Sequence, residues 1–139
     1  MTQQSLIDHY KFKLRLDQWD IRLDPQWDEE NTDDSATADI RLFEQAATVR
    51  IRPDVEGLNV DAHIVHEMTH ILIADYSRLV KTAIAKLGPG AEAILDALGD
   101  MEERICDSIA HALTGVTYIP VGKSKEHHAP FLDTTTCTG

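Results

Sequence analysis

The sequence predicts a single α+β domain, and three observations carry that prediction. Residues 60–87 contain neither Pro nor Gly and are apolar on more than one helical face. Three short runs, at 19–23, 38–42 and 49–52, alternate apolar and polar residues as half-buried strands do. The length, 139 residues, supplies one sizeable core and not two. With 42% hydrophobic and 27% charged residues the composition is that of an ordinary folded protein rather than a disordered one.

In chain order, Leu6, Tyr10 and Leu14 recur at helical spacing and predict a helix over 5–16, although Phe12, Leu14 and Leu16 also alternate with cationic residues. Trp19, Ile21 and Leu23 then alternate with Asp20 and Arg22 until Asp24-Pro25 stops the run, which reads as a short strand. From Asp24 to Asp39 there are seven acidic residues and no Lys or Arg, so a solvated loop is expected. Ala38, Ile40 and Leu42, then Val49 and Ile51 beyond a break at Glu44-Gln45, predict a β-hairpin. Its second strand, Thr48 to Arg52, is the expected edge of a small antiparallel sheet.

A long helix follows from Val60 to about Leu87, with Asn59 or Asp61 as its expected cap and Gly88-Pro89-Gly90 as its stop. Between Ala91 and Leu113 a second helix places Ile94, Leu98, Met101, Ile105 and Ile109 on one stripe, with Gly99-Asp100 as a kink or restart. Val116, Tyr118 and Val121 suggest a short extended piece around Pro120, and residues 122–139 read as a polar tail. The expected organisation is therefore a domain over 1–115 and an extension over 116–139.

Charge narrows the function classes. Thirteen Lys and Arg oppose 24 Asp and Glu, a formal net charge of −11, which argues against a phosphate-backbone grip on nucleic acid. No run of eighteen apolar residues predicts a membrane span, and the first residues lack the pattern of an export signal. Cys106 and Cys137 have no CxxC partner, so neither a disulfide framework nor a thiolate zinc site is suggested and a reducing cytoplasm is the expected compartment.

The chemistry resides in His66-Glu67-Met68-Thr69-His70, an HExxH pattern on a continuous helical stretch. Four residues advance a helix by about 400° and roughly 6 Å, so both imidazoles leave nearly the same face and can converge on one tetrahedral metal ion. Glu67, about 100° round from His66, can reach water at that ion without being a ligand. Two imidazoles leave zinc short of its usual three protein ligands. Met101-Glu102-Glu103-Arg104-Ile105-Cys106-Asp107 offers the next donors, with Glu103 and Asp107 four residues apart.

Here the chain resembles the gluzincins, in which the third ligand is a Glu followed four residues later by an acid bonded to the first motif histidine. Helix geometry distinguishes Glu103 from its neighbour. Glu102 shares the apolar stripe of Leu98, Ile105 and Ile109, whereas Glu103 shares a face with the small residues Gly99, Cys106 and Ala110, where two helices can approach. Asp107 is then placed to accept from the free ring nitrogen of His66. The order helix, strand, acidic loop, hairpin, HExxH helix, Glu-bearing helix is similar to that of ImmA/IrrE-type and phage-encoded small metallopeptidases. Glu103, Asp107, Ile109 and Ala110 match the downstream pattern of that group, and the resemblance spans roughly residues 5–113. Met68-Thr69 and the long gap to Glu103 depart from named subfamilies.

The resemblance implies one zinc ion held by His66, His70 and Glu103, with Asp107 behind His66, and Glu67 as general base for peptide hydrolysis. The expected partner is a protein or peptide substrate bound in extended form along an edge strand. Several residues admit two roles. Asp100 and Glu103 also fit a capping box. His63 is a solvent-facing or core histidine, or else a further ligand or a substrate contact, and His111 or Tyr118 are candidates for oxyanion stabilisation, a task zincins give to His or Tyr. Cys106 is either a packing residue or a metal contact, and His127-His128 can bind metal adventitiously. Two other functions are compatible with the sequence: a zinc-stabilised interaction module of the same fold, and an acidic decoy that occupies the basic surface of a nucleic-acid-binding protein.

Overall fold

A computed structural model describes residues 2–121. The tail from Gly122 onward, with His127-His128 and Cys137, lies outside them. Helix α1 (Gln3–Lys13) is capped by Thr2, whose side chain accepts from the Ser5 amide. It ends three residues before the predicted limit, because Arg15 turns left-handed (φ +60) and the Leu16 amide reaches back to the Lys11 carbonyl at 2.9 Å, a Schellman closure. Strands β1 (Asp20–Leu23), β2 (Ala36–Arg41) and β3 (Ala46–Ile51) follow, and then helices α2 (Asn59–Ala85) and α3 (Ala91–Thr114).

The sheet departs from the antiparallel expectation in one pairing. Its order is β1-β3-β2, with β1 parallel to β3 and β2 antiparallel to it. The hairpin strand expected at the edge is thus the centre, and its buried alternation (Ala47, Val49, Ile51) is that of a strand paired on both sides. Strand β2 takes the edge, beginning at Ala36 within the stretch read as acidic loop. The Arg52 amide donates to the Ser35 carbonyl at 2.9 Å, so Ser35 belongs to a hydrogen-bonded pair of the ladder. By the alternation of an antiparallel ladder, the backbone groups of Ala36, Ala38 and Ile40 therefore face away from β3, along an edge that no other strand among the described residues pairs with.

The core lies between this sheet, α1 and the first half of α2: Ile7, Tyr10, Trp19, Ile21, Val49, Ile64, Val65, Met68 and Ile71 are buried together. Helix α2 is enclosed from Ala62 to Ile71 apart from the half-buried His70, and again at Ser77. Elsewhere in its second half Leu72, Tyr76 and Leu79 are exposed, so its apolar residues are not buried on every face. No side chain caps its start. Asn59 bonds Ile119 instead, and Asp61 accepts from the Tyr10 hydroxyl at 3.0 Å.

Helix α3 is uninterrupted through Gly99-Asp100, which removes the capping-box role for Glu103. Its apolar stripe is not the buried face: Ile94, Met101 and Ile105 are exposed, while Cys106 and Ala110 are fully buried. These two small residues permit the close helix approach expected of that face. Gly99 is not needed for it, because a Cβ there would meet no heavy atom within 4 Å. Among the described residues no helix is long and apolar enough to cross a membrane.

Candidate metal centre

The site sits where the enclosed half of α2 faces α3. Because α2 is helical through 66–70, His66 and His70 project side by side, their ring centroids 5.1 Å apart. Glu103 reaches across from α3 and meets both rings, with Oε2 2.9 Å from His66 Nε2 and Oε1 3.3 Å from His70 Nε2. One turn further along α3, Asp107 Oδ1 lies 2.8 Å from His66 Nδ1. The four residues picked for ligation and its support thus meet at one place. Glu102 does not join them: it is nearly buried elsewhere, bonded to the Ser77 hydroxyl and to Lys81.

Hydrogen-bond logic fixes what this arrangement wants. Asp107 can only accept, so His66 Nδ1 carries the proton and, in a neutral ring, Nε2 presents a lone pair. That lone pair faces the Glu103 carboxylate at 2.9 Å, and two acceptors so placed repel unless a cation lies between them. In the metal-free chain the cation is a proton. Burial lowers the pKa of His66, yet the hydrogen bonds that its ring donates to Asp107 and Glu103 outweigh it and lift the ring to about 9. Glu103 is correspondingly depressed: burial raises it, and bonding to His66 and His70 overcomes that. Two nitrogens and a carboxylate converging on one place form a donor set able to hold a metal ion.

His66, His70 and Cys106 also form a buried cluster able to bind a metal ion, their ligand atoms all within 4.8 Å of one another. Burial and the neighbouring Glu103, Glu67 and Asp107 push the Cys106 thiol well above its usual range. A coordinating thiol loses its proton to the metal, so Cys106 and Glu103 are two side chains placed to complete a donor set with the two histidines.

Glu67 lines the cleft beside the two histidines, is 7% exposed, and makes no ion pair among the described residues. Burial raises its pKa, against the pull of His66 and His70. Two adjoining hollows share Asp34, Ala36, Glu67 and His70: one of about 430 Å³ over the histidines and α3, and one of about 620 Å³ running between β2 and α2 toward Lys81.

The chain matches no family model, no curated protein and no solved structure. The remaining histidine and tyrosine candidates separate cleanly. His63 is fully buried, bonded to the Asn59 carbonyl (2.7 Å) and to Ser35 Oγ (2.9 Å), so it is a satisfied core histidine and not a ligand. Burial lowers its pKa. His111 is exposed near the end of α3, away from the cleft. Tyr118 does enter the site, but as a ring stacked on His66 with centroids 4.1 Å apart and planes at 17°. Ser35, bonded to both His63 and Tyr118, escaped the sequence reading, since nothing local marks a serine in an acidic stretch as a site neighbour.

Proposed function

We propose that this protein is a zinc-dependent peptidase with a zincin-like active site, in which His66, His70 and Glu103 hold the ion. The observation that carries the reading is the meeting of His66 Nε2 and His70 Nε2 on one Glu103 carboxylate while Asp107 occupies the other nitrogen of His66. A divalent ion held there supplies Lewis acidity, acidifying water and polarising a carbonyl group. Glu67 is placed to take the proton of the attacking water and to return it to the departing amine. Burial raises its proton affinity against the pull of the two imidazoles, the direction a general base requires.

Substrate alignment follows from the sheet. Ala36, Ala38 and Ile40 line the hollow that contains Glu67 and His70 and their backbone groups face away from β3, so an extended peptide can add to β2 and pass its scissile bond over the site. Main-chain bonding of this kind recognises a polypeptide rather than a small metabolite.

The test is Glu67→Gln beside wild type, each assayed for zinc by elemental analysis and for cleavage of a quenched peptide library. Retained zinc with cleavage reduced at least about a hundredfold is expected. Loss of zinc in this variant would show Glu67 to be a ligand. Zinc at one equivalent with no peptide cut by the wild type would make the chain a zinc-stabilised binding module instead.

A further inference from the structure

We infer that Tyr118 is a positioning residue for His66, locked in place by a closed hydrogen-bond circuit through Ser35, His63 and Asn59. The inference deepens the proposed function, since it rests on reading His66 as a ligand.

After α3 the chain turns at Gly115, left-handed at φ +71, and residues 116–121 cross back over the start of α2. Two bonds to one side chain pin this crossing: Asn59 Nδ2 donates to the Ile119 carbonyl (3.0 Å) and the Ile119 amide donates to Asn59 Oδ1 (3.3 Å). The neighbouring Tyr118 ring is thereby pressed between two imidazoles. It lies nearly parallel to His66, and it is tilted at 46° against His63 with centroids 4.5 Å apart.

The direction of every bond in the circuit can be assigned. The Asn59 carbonyl accepts only, so His63 Nδ1 donates to it and Nε2 is left as an acceptor. Ser35 Oγ, 2.9 Å away, must then donate to His63 Nε2. With its proton spent, Ser35 accepts at 3.2 Å from the Tyr118 hydroxyl. Each group is satisfied once, and the phenol proton points at Ser35. It is not available to a substrate oxygen in this arrangement, so Tyr118 acts here through its ring and not as the oxyanion donor the sequence allowed.

Asp107 and Tyr118 therefore divide the task of fixing His66. A hydrogen bond to Nδ1 sets the tautomer and, with the Cβ–Cγ bond, fixes one edge of the ring. The phenol stacked on its face limits the remaining coupled motion of the side-chain torsions, so that Nε2 stays aimed at Glu103. Ser35 and His63, both buried, anchor the phenol from beneath.

The experiment compares full-length wild type with Tyr118→Phe, Tyr118→Leu and Ser35→Ala. It measures zinc affinity by competition with a chelating dye, and imidazole ¹⁵N spectra in the zinc-free state. Tyr118→Phe keeps the flat ring and should hold zinc within about threefold of wild type. Tyr118→Leu should weaken zinc by about tenfold or more, the range expected when an outer partner of a ligating histidine is lost. His63 should report the Nδ1-protonated tautomer in wild type and lose it as a single state in Ser35→Ala. Wild-type affinity in a folded Tyr118→Leu chain overturns the inference, as does an Nε2-protonated His63. If wild type binds no zinc at all, the peptidase reading fails. The ¹⁵N spectra then still decide the positioning role, because unchanged His66 resonances in Tyr118→Leu would end it.

Discussion

At His66 Nε2 the molecule must settle what lies between an imidazole lone pair and a carboxylate, and the two possible answers, a proton or a metal ion, have different consequences with pH. Without metal, burial lowers the ring's pKa but the bonds it donates to Asp107 and Glu103 raise it by more, from 6.5 to about 9. Its contribution to stability is therefore complete below about pH 6.5 and lost as pH climbs through about 9. Glu103, held below its usual 4.5 by the two imidazoles despite burial, contributes above 4.5 and loses that contribution as acid is added. Urea denaturation in chelator should thus give a midpoint that falls between pH 6.5 and 9.5, whereas zinc-loaded protein, whose ligands need no proton, should stay level there. A level profile in chelator would remove the proton from this position. The third ligand is tested at the same scale. Glu103→Ala should strip zinc, while Cys106→Ala should keep it and cost about 1 kcal/mol of stability through lost packing; the reverse pattern assigns the metal to the cysteine.

Elements explain why these side chains meet. The HExxH spacing works only because α2 is unbroken through the site, and Glu103 reaches it only because the fully buried Cys106 and Ala110 let α3 approach. Gly99 takes no part in that approach, so its cost to the helix is uncompensated. Gly99→Ala should raise unfolding free energy by about 0.5–1 kcal/mol at unchanged zinc content, as read by urea denaturation. Strand β2 allows a directional test, because neighbouring residues present their amides to opposite sides. Thr37→Pro removes a bond to β3 and should destabilise the sheet. Ala38→Pro removes only an outward donor, so it should leave the fold in place and raise KM for peptide substrates. Equal effects of the two on stability would show that the outward edge has been misassigned.

For the whole molecule, charge is the dominant long-range property. At −11 the protein attracts cationic peptides and repels acidic ones, with an interaction range of about 10 Å at 0.1 M salt. Cleavage of a Lys-rich peptide should therefore slow as ionic strength rises, and that of a neutral peptide of equal length should change little. A steeper decline for the neutral peptide would exclude steering by this field. The helix with its two histidines, the acid four residues before Asp107, and the mixed helix-and-strand composition were all legible in the amino-acid order. Each is a periodicity or spacing carried within one stretch of chain. Sequence reading misplaced the strand order and did not mark Ser35 as a neighbour of the site. Both depend on pairings between residues distant in sequence: β1 beside β3, and residues 116–121 returning to Ser35 and Asn59. Local pattern records which faces can be buried, and only the tertiary structure decides which of them finds a partner.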